Sequence, residues 1–536
     1  MNNIKQRNML IVMVTVFLIA SLVVLALPYT SWGFITDDFG LVWHSRVESL
    51  CELGKFFTEM GLHTFMQPIN YMPSEQSFFA VLYRPLLYVF YGIQYLLFGF
   101  SAYGYMIVSA LLHGINAVLV WLIFRKYFSK TIAALGAGYF LFHLSMLNWF
   151  GWVTAQQHLL ALFFSLLVFI CYQCFIDSQR KIYLFSAIAL VACSLLTRET
   201  LIVLPVWVVF ALVWHWRTAQ HKFLLLVTAA LPVAGYFCWR ISQFPLKASN
   251  SDLTWVTRGG FAFFTFLREQ FLNYVTWLVD LTNLGFVPGG NRLRKGTLII
   301  MVVMLLAYLF WNCRKKSTVL FLLASTIAFA WPSVIRFYTS RFMYEALPFF
   351  IAAILLLIFE NDISFRPKAL IFGALIAFNG MMFPNFLSAR EKTLKAINIA
   401  VHDLVMQLPE NSKSIVFVGL PFGWFCTSVA QACYMTGLST SVPVYYDKQT
   451  FVWSELEPAG ISPEIQIRRI SKSVLEVTLN KPVIFAFGDR GTNFGIKEWR
   501  DEDDATVLHW DMINDRFETP DVVITWDYEK NCFRLL

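Results

Sequence analysis

The 536-residue chain is 57% hydrophobic and 14% charged, with 53 Phe and a mean hydropathy of +0.58. A soluble chain carries about 25% charged residues, so the composition excludes an ordinary soluble globule and gives many segments lipid as their solvent. The formal net charge of +8 fits Lys and Arg gathered in cytoplasmic loops and gives no reason to invoke nucleic acid.

A helix needs about 20 apolar residues to cross the hydrocarbon, fewer where flanking residues reach back to the interface. Apolar runs at 8–28, 103–124, 131–149, 157–176, 181–196, 201–216, 222–240, 298–312, 317–335, 342–359 and 368–386 read as spans. The fold class is therefore a polytopic α-helical membrane protein with about 11 transmembrane helices. The first run is long and lacks a convincing small-residue cleavage site at Ala26-Leu27-Pro28, so it reads as an anchor. Lys5/Arg7, Arg125/Lys126/Lys130, Arg180/Lys181, Arg217/Lys222, Arg314/Lys315/Lys316 and Arg366/Lys368 fall on one side. That side is expected in the cytoplasm, with the N-terminus inside and the C-terminus outside. Residues 263–286 hold Arg268, Glu269 and Asp280. Counting them as a span would move Arg314 to Lys316 outside, so they read as a surface or re-entrant helix.

Residues 1–387 thus form the membrane module, with extracytoplasmic loops at 29–102 and 241–297, and 388–536 form a soluble mixed α/β or α+β domain. In the first loop Leu50, Leu53, Phe56, Phe57 and Met60 recur at helical spacing, and 86–100 reads as a second interfacial helix. In the tail, 389–408 and about 425–436 read as helices. Ser414–Leu420, Val442–Tyr446, Ser473–Leu479, Val483–Phe487 and Val522–Trp526 read as strands. Cys171 and Cys174 lie in an apolar run, where a packed thiol accounts for the spacing better than a redox or zinc site.

The spans themselves hold almost no charge; His113, Asn116 and His143 are the polar exceptions. His113 and Asn116, three apart, share a helical face and read as interhelical hydrogen-bonding groups. So few ionisable groups at mid-membrane argues against an ion-coupled transporter. The charges gather instead at the outer ends. Asp37 and Asp38 follow the first span, and a carboxylate beside an apolar belt can accept a proton from a hydroxyl as general base. Arg84, Arg198 with Glu199, Arg336 and Arg341 lie at the same face, as guanidinium forks suited to phosphate oxygens. Gln156, Gln157 and His158 follow Trp152 at an outer turn. A helix cap for the Asp pair, and headgroup binding for each Arg, stand as the bland alternatives.

A first span, an Asp-Asp pair, "YRPL", an interfacial helix and "GYMIVSALLHGINAVLVWLIFRKYF" together resemble the GT-C membrane glycosyltransferases. The likeness is to bacterial aminoarabinose transferases and protein O-mannosyltransferases. "TRETLIVLP" is similar to their outer turn, and "SRFMYEALPFF", with Tyr344, to their late Arg-Tyr element. The resemblance implies a glycosyltransferase in a bacterial inner membrane, with a polyprenyl-phosphate-linked sugar as donor and a glycan, lipid or protein as acceptor. It implies Asp37 or Asp38 as the catalytic carboxylate and Arg84, Arg198 or Arg341 at the donor phosphate. His158, Glu199 and Tyr344 are accessory candidates. Where several members carry a second acid, this chain has Gln157-His158, which leaves a divalent metal an open question. A lipid-linked glycan polymerase or ligase, and a transporter or flippase, are the rival readings.

Overall fold

The computed structural model describes residues 2–23, 34, 38, 41–42, 45–58, 84–143, 152–214, 222–243, 304, 307–330, 343–360, 373, 376–377 and nine strands between 414 and 535. The helices are α1 (Asn2–Ser21), α2 (Lys55–Thr58, after a 3-10 turn Leu50–Gly54), α3 (Pro85–Phe98), α4 (Ala102–Tyr127) and α5 (Lys130–Leu141). They continue as α6 (Gln156–Ser178), α7 (Ile182–Thr197), α8 (Val203–Trp214), α9 (Lys222–Gln243), α10 (Lys316–Phe329) and α11 (Leu347–Phe359). Among the described residues two helices, Ala102–Tyr127 and Val153–Ser178, are long and apolar enough to cross a membrane. The shorter apolar helices follow the other runs read as spans, while 263–286 and most of 298–312 and 368–386 lie outside the described residues. Helix α5 ends at Leu141 and residues 144–149 of the expected span lie outside the described residues; His143, read as a polar group within that span, lies just past the end of α5, buried against Tyr139.

Local chemistry sets the ends. Pro85 at the first turn of α3 has no N–H to leave unsatisfied, and Gly99 closes that helix at φ 55°, where a side chain would be strained. Ser129 caps α5 by accepting from the Ile132 amide. Arg125 and Lys126 end α4, where a cation suits the helix dipole.

The bundle alternates in direction, and its two ends differ chemically. At one end Lys126 meets Asp177 at 2.7 Å and Lys315 meets Glu360 at 2.9 Å, both exposed pairs. The opposite ends of α4, α6, α7 and α11 carry the polar cluster described below. Close helix approach depends on small residues. A side chain at Gly114 would come within 3.2 Å of the Phe17 carbonyl, and Ser21 bonds the Ala110 carbonyl at 2.6 Å, so α1 lies tight on α4. Farther in, Trp207 sits among Phe169, Phe329 and Phe349 and donates to Ser325 at 2.8 Å, tying α6, α8, α10 and α11 together.

In the tail, β1 (Ser414–Pro421) pairs in parallel with β2 (Ser439–Tyr446) and β8 (Val522–Asp527). β5 (Val483–Ile484) and β9 (Cys532–Leu535) add antiparallel edges, giving the order β5-β2-β1-β8-β9. A second sheet, β3-β4-β7-β6, is antiparallel throughout and comprises Ile465–Arg469, Val474–Leu479, Ala505–Asp511 and Ile496–Glu502 in that order. The expected strands coincide with β1, β2, β4, β5 and β8; the expected helices at 389–408 and 425–436 lie outside the described residues. β3, β6, β7 and β9 were not expected.

Candidate active site

The site is built around the N-terminus of α6. After Trp152 the chain makes a 3-10 turn, Val153–Ala155, and enters the helix at Gln156. Helix starts leave backbone N–H groups without partners, and their dipole favours negative charge. Here a distant residue supplies both needs. The fully buried Asp38 carboxylate accepts from the Thr154 amide at 2.6 Å, the Val153 amide at 3.1 Å and the Thr154 hydroxyl at 2.8 Å. From α3, the Tyr91 hydroxyl donates to the Val153 carbonyl at 2.9 Å. First loop, α3 and α6 are thus joined at one peptide unit.

The first turn of α6 then distributes three polar contacts. Gln156 reaches α4, donating to the Tyr105 carbonyl at 2.8 Å and Ser109 at 2.9 Å, and exchanges amide bonds with Gln94 of α3. Gln157 accepts from Arg84 Nη1. Arg84 also sends Nε and Nη2 to the two oxygens of Glu199, at 2.8 and 2.6 Å, a two-pronged pair. Burial works against the Arg84 charge, but Glu199 outweighs it and raises the guanidinium pKa. His158 faces Glu345 and Arg198. All three are buried, and Arg198 Nη1 donates to both Glu345 Oε1 and His158 Nδ1. Nδ1 also lies 3.1 Å from Glu345 Oε1, yet a nitrogen accepting from Arg198 has no proton to give. The bridging guanidinium therefore accounts for the short contacts.

Deeper, His113, Asn116 and Tyr344 form one network. His113 Nε2 faces the Leu141 carbonyl at 3.1 Å, which can only accept, so Nδ1 is left to accept from the Tyr344 hydroxyl at 2.8 Å. Asn116 Nδ2 donates to Tyr344 at 3.1 Å and to the Leu159 carbonyl at 2.9 Å. The interhelical role read from the spacing of His113 and Asn116 holds.

Of the residues singled out in sequence, Asp38, Arg84, His158, Arg198, Glu199 and Tyr344 converge around the first turns of α6. Asp37, Arg336 and Arg341 lie outside the described residues. The geometry departs from the sequence reading in two ways. Arg84 and Arg198, expected to grip phosphate, each hold a carboxylate, because a buried guanidinium needs a counter-ion. Glu345 was missed, although a carboxylate at the head of the apolar run 342–359 is itself a functional signal. Among the described residues no three His, Cys, Asp or Glu gather as a metal site.

Residues 84–239, which carry Arg84, Gln156 to His158 and Arg198-Glu199, match the family model described as dolichyl-phosphate-mannose-protein mannosyltransferase. No curated protein matches the chain. Among solved structures, ArnT from Cupriavidus metallidurans bound to undecaprenyl phosphate shares 12% identity, with 80% of this chain and 85% of that one covered and a TM-score of 0.45. The Archaeoglobus fulgidus oligosaccharyltransferase in the apo form shares 10% identity over 81% of this chain and 64% of its own, at a TM-score of 0.44. The oligosaccharyltransferase AglB of the same organism, in complex with an inhibitory peptide and a dolichol-phosphate, shares 11% identity at a TM-score of 0.40.

Proposed function

We propose that this protein transfers a sugar from a polyprenyl-phosphate carrier to a hydroxyl of an envelope glycan, lipid or protein, at the extracytoplasmic face of a bacterial inner membrane. The observation that carries this reading is the gathering of Asp38, Arg84–Glu199 and Arg198–Glu345 on one helix N-terminus, at the bundle end away from the basic loops. That helix falls inside the stretch matching a polyprenyl-phosphate-sugar-dependent family. Basic loops mark the cytoplasmic side, so the site faces out. The tail, 388–536, follows the last span on that same side as a separate soluble domain.

Asp37 is the general base. Asp38 already accepts three hydrogen bonds that tie it to the start of α6, so its oxygens are committed to those donors and the proton is assigned to its neighbour. The acceptor oxygen attacks the anomeric carbon and its proton passes to Asp37. The bond from that carbon to the phosphate oxygen breaks, with inversion, and polyprenyl phosphate leaves. Arg341 meets the charge that develops on the phosphate, since Arg84 and Arg198 are held by Glu199 and Glu345. Losing such a preorganised donor costs about 3 kcal/mol of barrier.

Mass spectrometry of envelope glycans from cells with and without the protein tests the reading. One glycan, lipid or protein species short of a single sugar is expected when the protein is absent. An unchanged envelope contradicts it.

A further inference from the structure

Outside the proposed base, one group in the cluster has an unmet requirement. Glu345 is 3% exposed, and its Oε1 is taken by Arg198. Its Oε2 is buried with no hydrogen-bond partner among the described residues. A second buried acceptor in the same state, Asn116 Oδ1, belongs to a residue bonded to Tyr344, the neighbour of Glu345 in sequence. Leaving such an acceptor unmet costs about 1–3 kcal/mol, more when it is charged, and native structures rarely tolerate it without a ligand, a water or a functional reason. Hydrophobic packing does not satisfy a carboxylate oxygen. A partner must bring an O–H or N–H to it.

The position narrows the partner. Asp38 binds at residues 153–154 and Glu345 is met at His158. At about 1.5 Å of rise per residue, these attachment points lie roughly 6 Å apart along α6, about the length of one sugar ring. Two orphan acceptors on residues linked through Tyr344 suit a polyol, which offers several hydroxyl donors at once. Arg198 pairs with Oε1, and an acceptor held in such an ion pair forms the stronger hydrogen bond.

We propose that Glu345 is a specificity-determining residue whose Oε2 accepts a hydroxyl or amino hydrogen of the sugar on the polyprenyl-phosphate donor, with Asn116 Oδ1 as the second acceptor. This rests on the donor class given under Proposed function. No bond is made or broken at Glu345; it reads the ring while the reaction proceeds at the anomeric carbon.

The test is a binding comparison on purified full-length protein. Affinities are measured by native mass spectrometry for bare undecaprenyl phosphate and for undecaprenyl phosphate carrying glucose, mannose or N-acetylglucosamine. Wild type is expected to favour at least one sugar-linked lipid over the bare lipid. Glu345→Gln is expected to cut that preference about tenfold or more while leaving affinity for the bare lipid unchanged. If Glu345→Gln does not fold because Arg198 is left unpaired, the Arg198→Met/Glu345→Gln double variant, which buries no lone charge, carries the same comparison. A preference retained in the variant, or no preference in wild type, overturns the Glu345 assignment. Failure of wild type to bind even bare undecaprenyl phosphate overturns the donor class instead.

Discussion

At the scale of single residues, the proposed reaction assigns two adjacent aspartates different jobs. Asp38 is spent on three donors at the start of α6, so Asp38→Asn turns one acceptor oxygen into an NH2 facing N–H groups. It is expected to lower unfolding stability by about 1–3 kcal/mol as well as activity. Asp37→Asn is expected to abolish transfer with the melting temperature unchanged. Thermal melts beside activity measurements on the two variants check this, and an unshifted melt for Asp38→Asn removes its anchoring role. Arg84 and Glu199 offer a second check. Breaking a fully buried pair by removing one member costs about 3–5 kcal/mol, because the survivor is left uncompensated; the Glu199 side chain is 25% exposed, so the cost here falls below that. Arg84→Met and Glu199→Leu should therefore each destabilise more than the double variant does, with a coupling of about 1 kcal/mol or more in the cycle. Strict additivity contradicts the pairing. Asp38 and Arg84 stood out in the sequence because they are polar islands beside apolar runs. The pairing of Arg84 with Glu199, 115 positions apart, was not legible, since no local spacing records which helix ends meet. Glu345 was passed over because one acid at the head of a long apolar run reads as its boundary.

At the scale of elements, legibility followed the strength of the local pattern. Long apolar runs gave α4 and α6 to within three residues at each end, because lipid demands an uninterrupted helix. α5 ends at Leu141 while the apolar run continues to 149, with nothing in composition to mark a helix end there; residues 144–149 lie outside the described residues. In the tail, β4 alternates cleanly as Val-Leu-Glu-Val-Thr-Leu and was expected, whereas β6 reads Ile-Lys-Glu-Trp-Arg-Asp-Glu. β6 is an edge strand, and charge there blocks edge-to-edge pairing at the expense of the strand signature. Helix contacts give a further prediction. Gly114→Val inserts atoms against the Phe17 carbonyl and is expected to cost about 1–3 kcal/mol by separating α1 from α4. Crosslinking yield between cysteines placed on those two helices should fall with it. An unchanged melt and yield would mean α1 does not rely on that contact.

At the scale of the whole molecule, the two ends of the helical bundle differ in chemistry. Exposed Lys126–Asp177 and Lys315–Glu360 pairs mark one face, and the buried cluster on α6 marks the other. A cysteine placed at Gly290, in a background without native cysteines, is expected to react with a membrane-impermeant reagent added outside. Reaction only after permeabilisation favours the count in which 263–286 spans, and with it the transporter reading. The direct measurement is turnover in proteoliposomes supplied with radiolabelled undecaprenyl-phosphate sugars and an envelope extract as acceptor. Wild type should release free undecaprenyl phosphate and label the extract, while Asp37→Asn should be slower by about 10²–10⁴-fold, the usual contribution of a general base. Equal turnover by wild type and Asp37→Asn, or none by wild type with any donor, contradicts the account.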